Sequence, residues 1–254
     1  MPFIPHTQAD VEDMMKVIGI EQLDALFDEI PAELVSDRLD SVPEGMSEMA
    51  MLQYMAQRAE QDQGYTCFLG GGSYDHHIPS AVWDLTARGE FMTAYTPYQA
   101  EASQGTLQLI YEYQSMMASL TGMDVSNASV YDGASGLAEA VLMAVRANKK
   151  NKAGRVLVAE SVHPHYTQTT RNIVRNQNVE IAPIACDENG RIDPAGLDAL
   201  ITDTPPSALI LQQPNFFGGL EAVDAITDWA HAQGALVIAV VNPMSLGIFK
   251  PPGA

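Results

Sequence analysis

Apolar positions along residues 1–62 follow the spacing of amphipathic helices. After a Thr7-x-x-Asp10 capping box, apolar residues recur at i, i+3, i+4 and i+7 until Gly19. A second run covers residues 20–30, and a third begins near Ser47. Three helices are therefore predicted, and their methionine-rich stripes are either core faces or adaptable docking faces for another subunit. The apolar residues of the runs are Val11, Met14, Met15, Ile18; Ile20, Leu23, Leu26, Phe27, Ile30; and Met51, Leu52, Met55, Ala56, Ala59.

Residues 63–98 lack helical periodicity and are rich in glycine, histidine and tyrosine. They are predicted to form loops with at most short helices, and loops of this composition often line binding sites. A long helix is predicted to follow from Glu101 to Thr121, with Gly122 as its C-terminal cap.

From about residue 126 strand-like and helix-like runs alternate. Several strand-like runs are apolar throughout, as in strands buried on both faces of a parallel sheet. We expect an α/β fold with a mostly parallel sheet and helices on both faces, made of an N-terminal helical and loop segment (1–98) and a sheet domain (99–254). The predicted strands are Ala128–Tyr131, Arg155–Ala159, Val179–Ala185, Ala208–Leu211 and Leu236–Val241; the predicted helices lie near Ser135–Asn148, His165–Asn176, Pro194–Ile201 and Ala222–Ala232.

Composition and charge narrow the range of functions. The chain has 254 residues, of which 46% are apolar, enough for a packed core. Its net charge of -19 disfavours binding to nucleic acids and to anionic membranes, and the N-terminal 62 residues alone carry 14 acidic and 3 basic side chains. Only Cys67 and Cys186 are present, which excludes a disulfide framework and a cysteine-based zinc cluster. No transmembrane span or secretory signal is recognisable, so a cytoplasmic location is expected.

A turn of small residues, Gly133, Ala134, Ser135 and Gly136, lies where a predicted strand ends and a helix begins. Backbone N–H groups at such a turn can bind a phosphate, and the helix dipole favours the anion. The same turn is equally explained as a tight strand-to-helix connection with Ser135 as the cap, because it lacks the Walker lysine and the full GxGxxG spacing.

Two further positions follow predicted strands, at the sheet edge where α/β proteins bind ligands. In the first, His163-Pro164-His165, one of the two imidazoles could stack on a planar cofactor ring, or the histidine could simply cap the next helix. Asn215 could hydrogen-bond a ligand hydroxyl or belong to a plain Pro/Gly turn. His76 and His77 lack visible partner ligands, so no metal site is predicted.

Four segments carry a resemblance to a known family: FLGGGSYDHHIP (68–79), YTPYQAEASQGTLQLIYEYQ (95–114), NASVYDGASGLAEA (127–140) and QQPNFFGGLE (212–221). Together they resemble the glycine decarboxylase P-protein, in particular the subunit 1 type of its two-subunit bacterial form. The resemblance covers essentially the whole chain. It implies the large domain of fold-type-I pyridoxal-phosphate transferases, with Gly133–Gly136, His163 and Asn215 as vestigial cofactor-site candidates.

The chemistry of that family requires a lysine to tether pyridoxal phosphate and a carboxylate to keep its pyridine nitrogen protonated. At the end of the strand LVIAVV, where the family has the carboxylate, this chain has Asn242, and none of its five lysines fits the tethering role. The resemblance therefore implies a subunit that carries no catalytic residue. It also implies that the cofactor is held by the lysine-bearing subunit 2, that the assembly is hetero-oligomeric, and that a lipoyl carrier H-protein is a further partner.

The same resemblance implies that Tyr95, Thr96, Tyr98 and Gln99, with His76 or His77, border the partner's pocket, although ordinary loop packing explains these residues as well. Family members are longer and have a C-terminal small domain, so the chain is expected to be truncated. Two other functions remain open: an independent pyridoxal-phosphate enzyme, and a non-catalytic structural or metabolite-binding paralogue.

Overall fold

The computed structural model describes residues 5–35, 41–92, 95–97, 99 and 104–254. The chain divides into two compact units, residues 1–66 and residues 67–254, which we call the N-terminal unit and the sheet unit. The loop from residue 67 onwards was predicted to belong with the N-terminal helices, up to residue 98. It belongs instead to the sheet unit, where Gly72 lies against His163.

The described residues of the N-terminal unit form two α-helices, α1 (Gln8–Ile18) and α2 (Glu48–Glu60). The predicted capping box is present in α1, and the helix ends at Gly19, which has a φ of 84°. α2 begins after its cap Ser47, near which the third helix was predicted to begin. The helix predicted over residues 20–30 is wrong in extent, because the chain there forms only a short 3₁₀ turn, Leu23–Phe27. Another 3₁₀ turn covers Ala32–Leu34.

The sheet unit begins with the predicted loops, whose described residues include the short helix α3 (Ala81–Thr86) and a 3₁₀ turn, Gly89–Phe91. The long helix α4 runs over Gly105–Thr121 and ends at Gly122, whose φ of 68° confirms the predicted cap. The predicted start of this helix at Glu101 lies outside the described residues.

Alternating helices and strands build the rest of the sheet unit. The four strands are parallel and lie in the order β2-β1-β3-β4. The elements are α5 (Gly133–Ala147), β1 (Arg155–Ala159), α6 (Pro164–Val174), β2 (Glu180–Ile184), a 3₁₀ helix (Pro194–Leu200), β3 (Ala208–Gln213), α7 (Val223–Ala232), β4 (Leu236–Val241) and a final 3₁₀ helix (Pro243–Gly247).

Helices cover both faces of this sheet. The connection through α6 leads from β1 to β2, and the connection through α7 leads from β3 to β4, in the opposite direction across the sheet. Because such crossovers are right-handed, the two helices lie on opposite faces. α5 packs beside α6. The predicted α/β architecture is thereby confirmed.

The central strands β1 and β3 supply eight of the buried apolar residues of the core. Leu157 pairs in register with Leu209, and both side chains are fully buried between the helix layers. The strand predicted at Ala128–Tyr131 is wrong: Asn127 accepts a hydrogen bond from the Ser129 N–H at 2.9 Å, which makes a local turn, and the Tyr131 side chain is exposed.

Candidate functional site

A cavity of about 820 Å³ lies at the carboxyl edge of the sheet. It is bounded by the ends of β3 and β4, the first turn of α5, the start of α6 and the loop before α3. Among the described residues that line it, none carries a carboxylate, an ammonium or a guanidinium group. Residues from these elements include Gly72, His76, Gly133, Gly136, His163, Tyr166, Gln212 and Asn242.

The first turn of α5 closes on itself through a capping box. The Asp132 carboxylate accepts hydrogen bonds from the Ser135 N–H at 2.7 Å and from the Ser135 hydroxyl at 2.6 Å. The Gly136 N–H donates to the Asp132 carbonyl at 2.9 Å. The cap is therefore Asp132, and Ser135, which one interpretation of the sequence made the cap, is its partner. The Ser135 hydroxyl, followed by the Ser135 N–H, lowers the pKa of Asp132 below its ordinary value.

His163 lies within an aromatic cluster beside the cavity. Its ring stacks on Tyr166 with centroids 4.8 Å apart and meets the edge of Phe216 at 4.9 Å. The His163 N–H donates to the Gln212 side chain at 2.8 Å, and the ring Nδ1 accepts from the His165 N–H at 3.2 Å, so His163 also caps α6.

Glycines let the surrounding backbone approach this cluster. A Cβ at Gly72 would lie 3.0 Å from the His163 ring, and Gly72 has a φ of 90°. A Cβ at Gly133 would collide with the Tyr166 hydroxyl. Larger residues at either position would therefore displace a wall of the cavity.

Asn215 is buried, and its amide is fully used within the fold. Its Nδ2 donates to the Gly190 carbonyl and to Glu221 Oε1, both at 2.8 Å. Its Oδ1 accepts from the Phe217 N–H at 3.0 Å and the Gly219 N–H at 2.8 Å. A primary amide has capacity for about four hydrogen bonds, so Asn215 shapes the turn after β3 and has none left for a ligand.

Glu221 joins the loops that follow β1, β2 and β3, and sequence reasoning did not single it out. It is 6% exposed, and its carboxylate accepts from the Ser161 hydroxyl at 2.7 Å, from Asn215, and from the Ile192 N–H at 2.9 Å. Its position in the sequence could have identified Glu221, since this acidic residue follows the apolar FFGGL turn and precedes an apolar helix.

The side chains at the cavity do not fit pyridoxal phosphate as a tethered, protonated cofactor. Asn242, at the end of β4, is neutral, and its Oδ1 accepts from the Met244 N–H at 3.1 Å. No lysine lines the described part of the cavity. Lys150 lies instead beside Gly234, at the amino end of β4, and Lys250 lines a different cavity beside α7.

The loop residues predicted to border the partner's pocket differ in their position relative to the cavity. His76 lines the cavity together with Gly72 and Tyr74. His77 and Gln99 are exposed, Tyr95 is 92% exposed, and Thr96 is half-buried; none of these is among the cavity residues. Tyr98 lies outside the described residues.

The described residues form neither a metal-ion cluster nor a membrane-spanning helix. No cluster of three histidine, cysteine or acidic side chains there has the geometry to hold a metal ion. No helix in that part of the chain is long and apolar enough to cross a lipid bilayer.

Comparison with known proteins gives whole-chain matches. A family model described as glycine cleavage system P-protein matches residues 1–254. The probable glycine dehydrogenase (decarboxylating) subunit 1 of Thioalkalivibrio sulfidiphilus is 58% identical over 254 residues, which are 100% of this chain and 56% of that protein. The protein of the same name from Nitrosomonas europaea is also 58% identical, with 55% of its length covered. The chain thus spans little more than half the length of these relatives.

Solved structures agree with these matches. The crystal structure of glycine decarboxylase (P-protein) of the glycine cleavage system, in inhibitor-bound form, superposes with a TM-score of 0.72 at 40% identity, over 100% of this chain and 56% of that one. A sphingosine-1-phosphate lyase of Burkholderia pseudomallei gives a TM-score of 0.53 at 14% identity, over 80% of this chain and 49% of that one, which shows a shared fold only.

Proposed function

Because this chain belongs to the glycine cleavage system P-protein family, we propose that it acts as the subunit of a two-subunit glycine decarboxylase that does not carry the cofactor. The assembly would decarboxylate glycine and transfer the aminomethyl group to a lipoyl carrier H-protein. The cytoplasmic location stays a prediction.

The observation that carries this proposal is the chemistry of the cavity at the carboxyl edge. A pyridoxal-phosphate enzyme of this fold needs an amine and a carboxylate there. The described cavity residues offer neither, and Asn242 ends β4. We therefore assign the cofactor and the reacting atoms to a lysine-bearing partner, in keeping with the subunit 1 names of the relatives.

The contribution of this chain to turnover would come from its loops. Tyr95, Thr96, Tyr98 and Gln99, with His76 or His77, are the residues proposed to border the partner's pocket. Tyr95 supports this assignment, because an aromatic side chain that is 92% exposed is available for contact with another polypeptide.

Reconstitution tests the division of roles. The full chain, the lysine-bearing subunit and their mixture are each assayed for release of labelled carbon dioxide from carboxyl-labelled glycine, with the H-protein present. Release is expected only from the mixture. Release by the full chain alone would overturn the proposal and favour an independent pyridoxal-phosphate enzyme. Failure of the two polypeptides to associate would favour the non-catalytic paralogue.

A substitution tests the loop. Tyr95→Phe removes one hydroxyl and keeps the ring, so the mixture should still assemble while its turnover falls about tenfold, as expected for loss of one transition-state hydrogen bond. Tyr111→Phe on α4, which is also exposed, serves as the matched control and should leave turnover unchanged. Equal turnover for the two variants would remove Tyr95 from the site.

A further inference from the structure

The helix α4 packs one of its faces against the rest of the sheet unit. Ile110, Gln114 and Met117 lie on this face and are half-buried. The Gln114 side chain donates to the Ser126 carbonyl at 2.7 Å, and Met117 lines the cavity at the carboxyl edge. This face therefore already has its partners within the unit.

A second face of α4 is apolar and exposed. Four large apolar residues recur there at i, i+4, i+7 and i+11, so their side chains lie in one line along the helix. They are Leu109, Tyr113, Met116 and Leu120, which we call the α4 stripe, and each is between 40% and 60% exposed. Glu112 is the only charged residue in the sequence of the helix. A line of this spacing is what one helix presents to another helix in a packed pair.

A small cavity of about 300 Å³ lies at the amino end of the α4 stripe. Leu109 lines it together with Leu85 and Phe91, and the ion pair of Arg88 and Glu90 lies along the same cavity. Interfaces between proteins commonly combine a pocket for an apolar anchor with a polar rim. The stripe therefore offers a row of contacts with such a pocket at one end.

The loop that carries Tyr95 and Thr96 begins and ends beside the α4 stripe. Gly105, the first residue of α4, lies against Phe91, because a Cβ on Gly105 would be 3.2 Å from the Phe91 ring. The chain between these two residues therefore leaves and returns at the amino end of α4. A polypeptide that contacts Tyr95 and Thr96 from outside would lie next to the stripe as well.

Charge disfavours a second copy of this chain as the occupant of the α4 stripe. Each copy carries a net charge of -19, so pairing two copies brings like charges together. The stripe itself has no charged side chain, which suits the apolar face of a helix from a different polypeptide.

We propose that the α4 stripe is the surface on which an apolar helix of the lysine-bearing partner docks. This inference rests on the proposed function, and it names the part of the chain that holds the two polypeptides together. Docking there places the partner beside the loop that is proposed to border its pocket.

The test is a single charge placed in the stripe. Met116→Glu introduces a carboxylate at an exposed position, so the chain should fold normally, but docking would bury that charge without a counter-ion. Tyr111→Glu is the matched control, because Tyr111 is also exposed on α4 but follows Leu109 by only two residues and so lies on another side of the helix. Circular dichroism checks the fold of both variants.

Sedimentation velocity measures association of the full chain and of each variant with the lysine-bearing subunit. The dissociation constant should rise by at least about 30-fold in Met116→Glu, the size of a hot-spot loss, and by less than about threefold in Tyr111→Glu.

The remaining outcomes separate this inference from the proposed function. Tight association of both variants, or equal weakening in both, would overturn the inference and leave the assembly standing. No association of the unmodified chain would refute the proposed function and the inference with it. A dimer of the chain alone that Met116→Glu converts to a monomer would overturn the inference by showing that a second copy occupies the stripe.

Discussion

The two units of the chain use the same signals to begin helices but bury very different parts of them. α1 begins with a capping box at Thr7 and Asp10, and α5 begins with one at Asp132 and Ser135. α1 has no buried residue, whereas α5 buries an apolar stripe that includes Leu137 and Val141. Local capping therefore defines where a helix begins, while burial of its apolar face depends on neighbours that the local sequence does not specify.

The largest effect expected from this difference is in the response to removing a leucine. Leu209→Ala in β3 deletes a fully buried side chain between helix layers and should lower the free energy of unfolding by about 3 kcal/mol. Leu52→Ala on α2, where the side chain is 57% exposed, should change it by less than about 1 kcal/mol.

Urea unfolding followed by far-ultraviolet circular dichroism measures this pair, because both units contribute helices to the signal. Similar shifts for the two leucine variants would mean that the N-terminal helices are as well packed as the strands, and the comparison would fail.

Glycines in a left-handed conformation allow a second comparison. Gly154 has a φ of 73°, and a Cβ there would lie 2.5 Å from the Asn178 carbonyl oxygen. Gly19 has a φ of 84° with open space around it. Alanine should therefore cost about 2–3 kcal/mol at Gly154, from strain and a clash together, and about 1 kcal/mol at Gly19, from strain alone.

Thermal unfolding monitored by circular dichroism separates the two glycine variants. The Gly154→Ala transition should move to lower temperature by several degrees, and Gly19→Ala should mainly reduce the helical signal. A smaller loss at Gly154 than at Gly19 would contradict the close approach of residues 154 and 178.

The buried Glu221 network gives a third, smaller contrast. Glu221→Gln keeps one acceptor oxygen for Ser161 and Asn215 but turns an NH₂ group towards the Ile192 N–H, which should cost about 1–2 kcal/mol. Glu60→Gln, at the exposed end of α2, should stay within about 0.5 kcal/mol of the unmodified chain. Chemical denaturation of both variants is the measurement, and a neutral result at Glu221 would show that the network does not hold the loops together.

The sequence predicted the sheet well because each strand is marked by its own short run of apolar residues, a signal that is local in the sequence. The runs at β1 and β4, which are apolar apart from Arg155, have the predicted bounds, Arg155–Ala159 and Leu236–Val241. The false strand at Ala128–Tyr131 shows the limit of this reasoning. The residues there have β-propensity but pair with no neighbouring strand, and the Asn127 side chain favours a turn.

The lining of the cavity was predictable only in part. The sequence placed Gly133–Gly136, His163 and Asn215 after predicted strands, and of these Gly133, Gly136 and His163 line the cavity. It could not show that the Asn215 amide is consumed by Glu221 and by its own turn, because those bonds join residues brought together only by folding. The neutral Asn242 and the missing lysine could be recognised from the sequence, since both depend on residue identity alone.

The smallest expected effect concerns an exposed ion pair of the sheet unit. It tests whether side chains outside the buried core are also held in fixed positions. The hydrogen bond from Arg88, with its charge, lowers the pKa of Glu90 to about 2. A carboxyl whose pKa is depressed on folding stabilises the fold above its ordinary pKa of 4.5, and this contribution is lost as the pH falls towards 2.

NMR titration of the Glu90 side-chain carboxyl carbon should therefore give a midpoint near 2 in the unmodified chain. In Arg88→Ala the midpoint should rise towards the ordinary range, because both the guanidinium donors and the charge are removed. An unchanged midpoint in that variant would mean that Arg88 does not hold Glu90, and that the surface of the sheet unit is no more ordered than the exposed faces of α1 and α2.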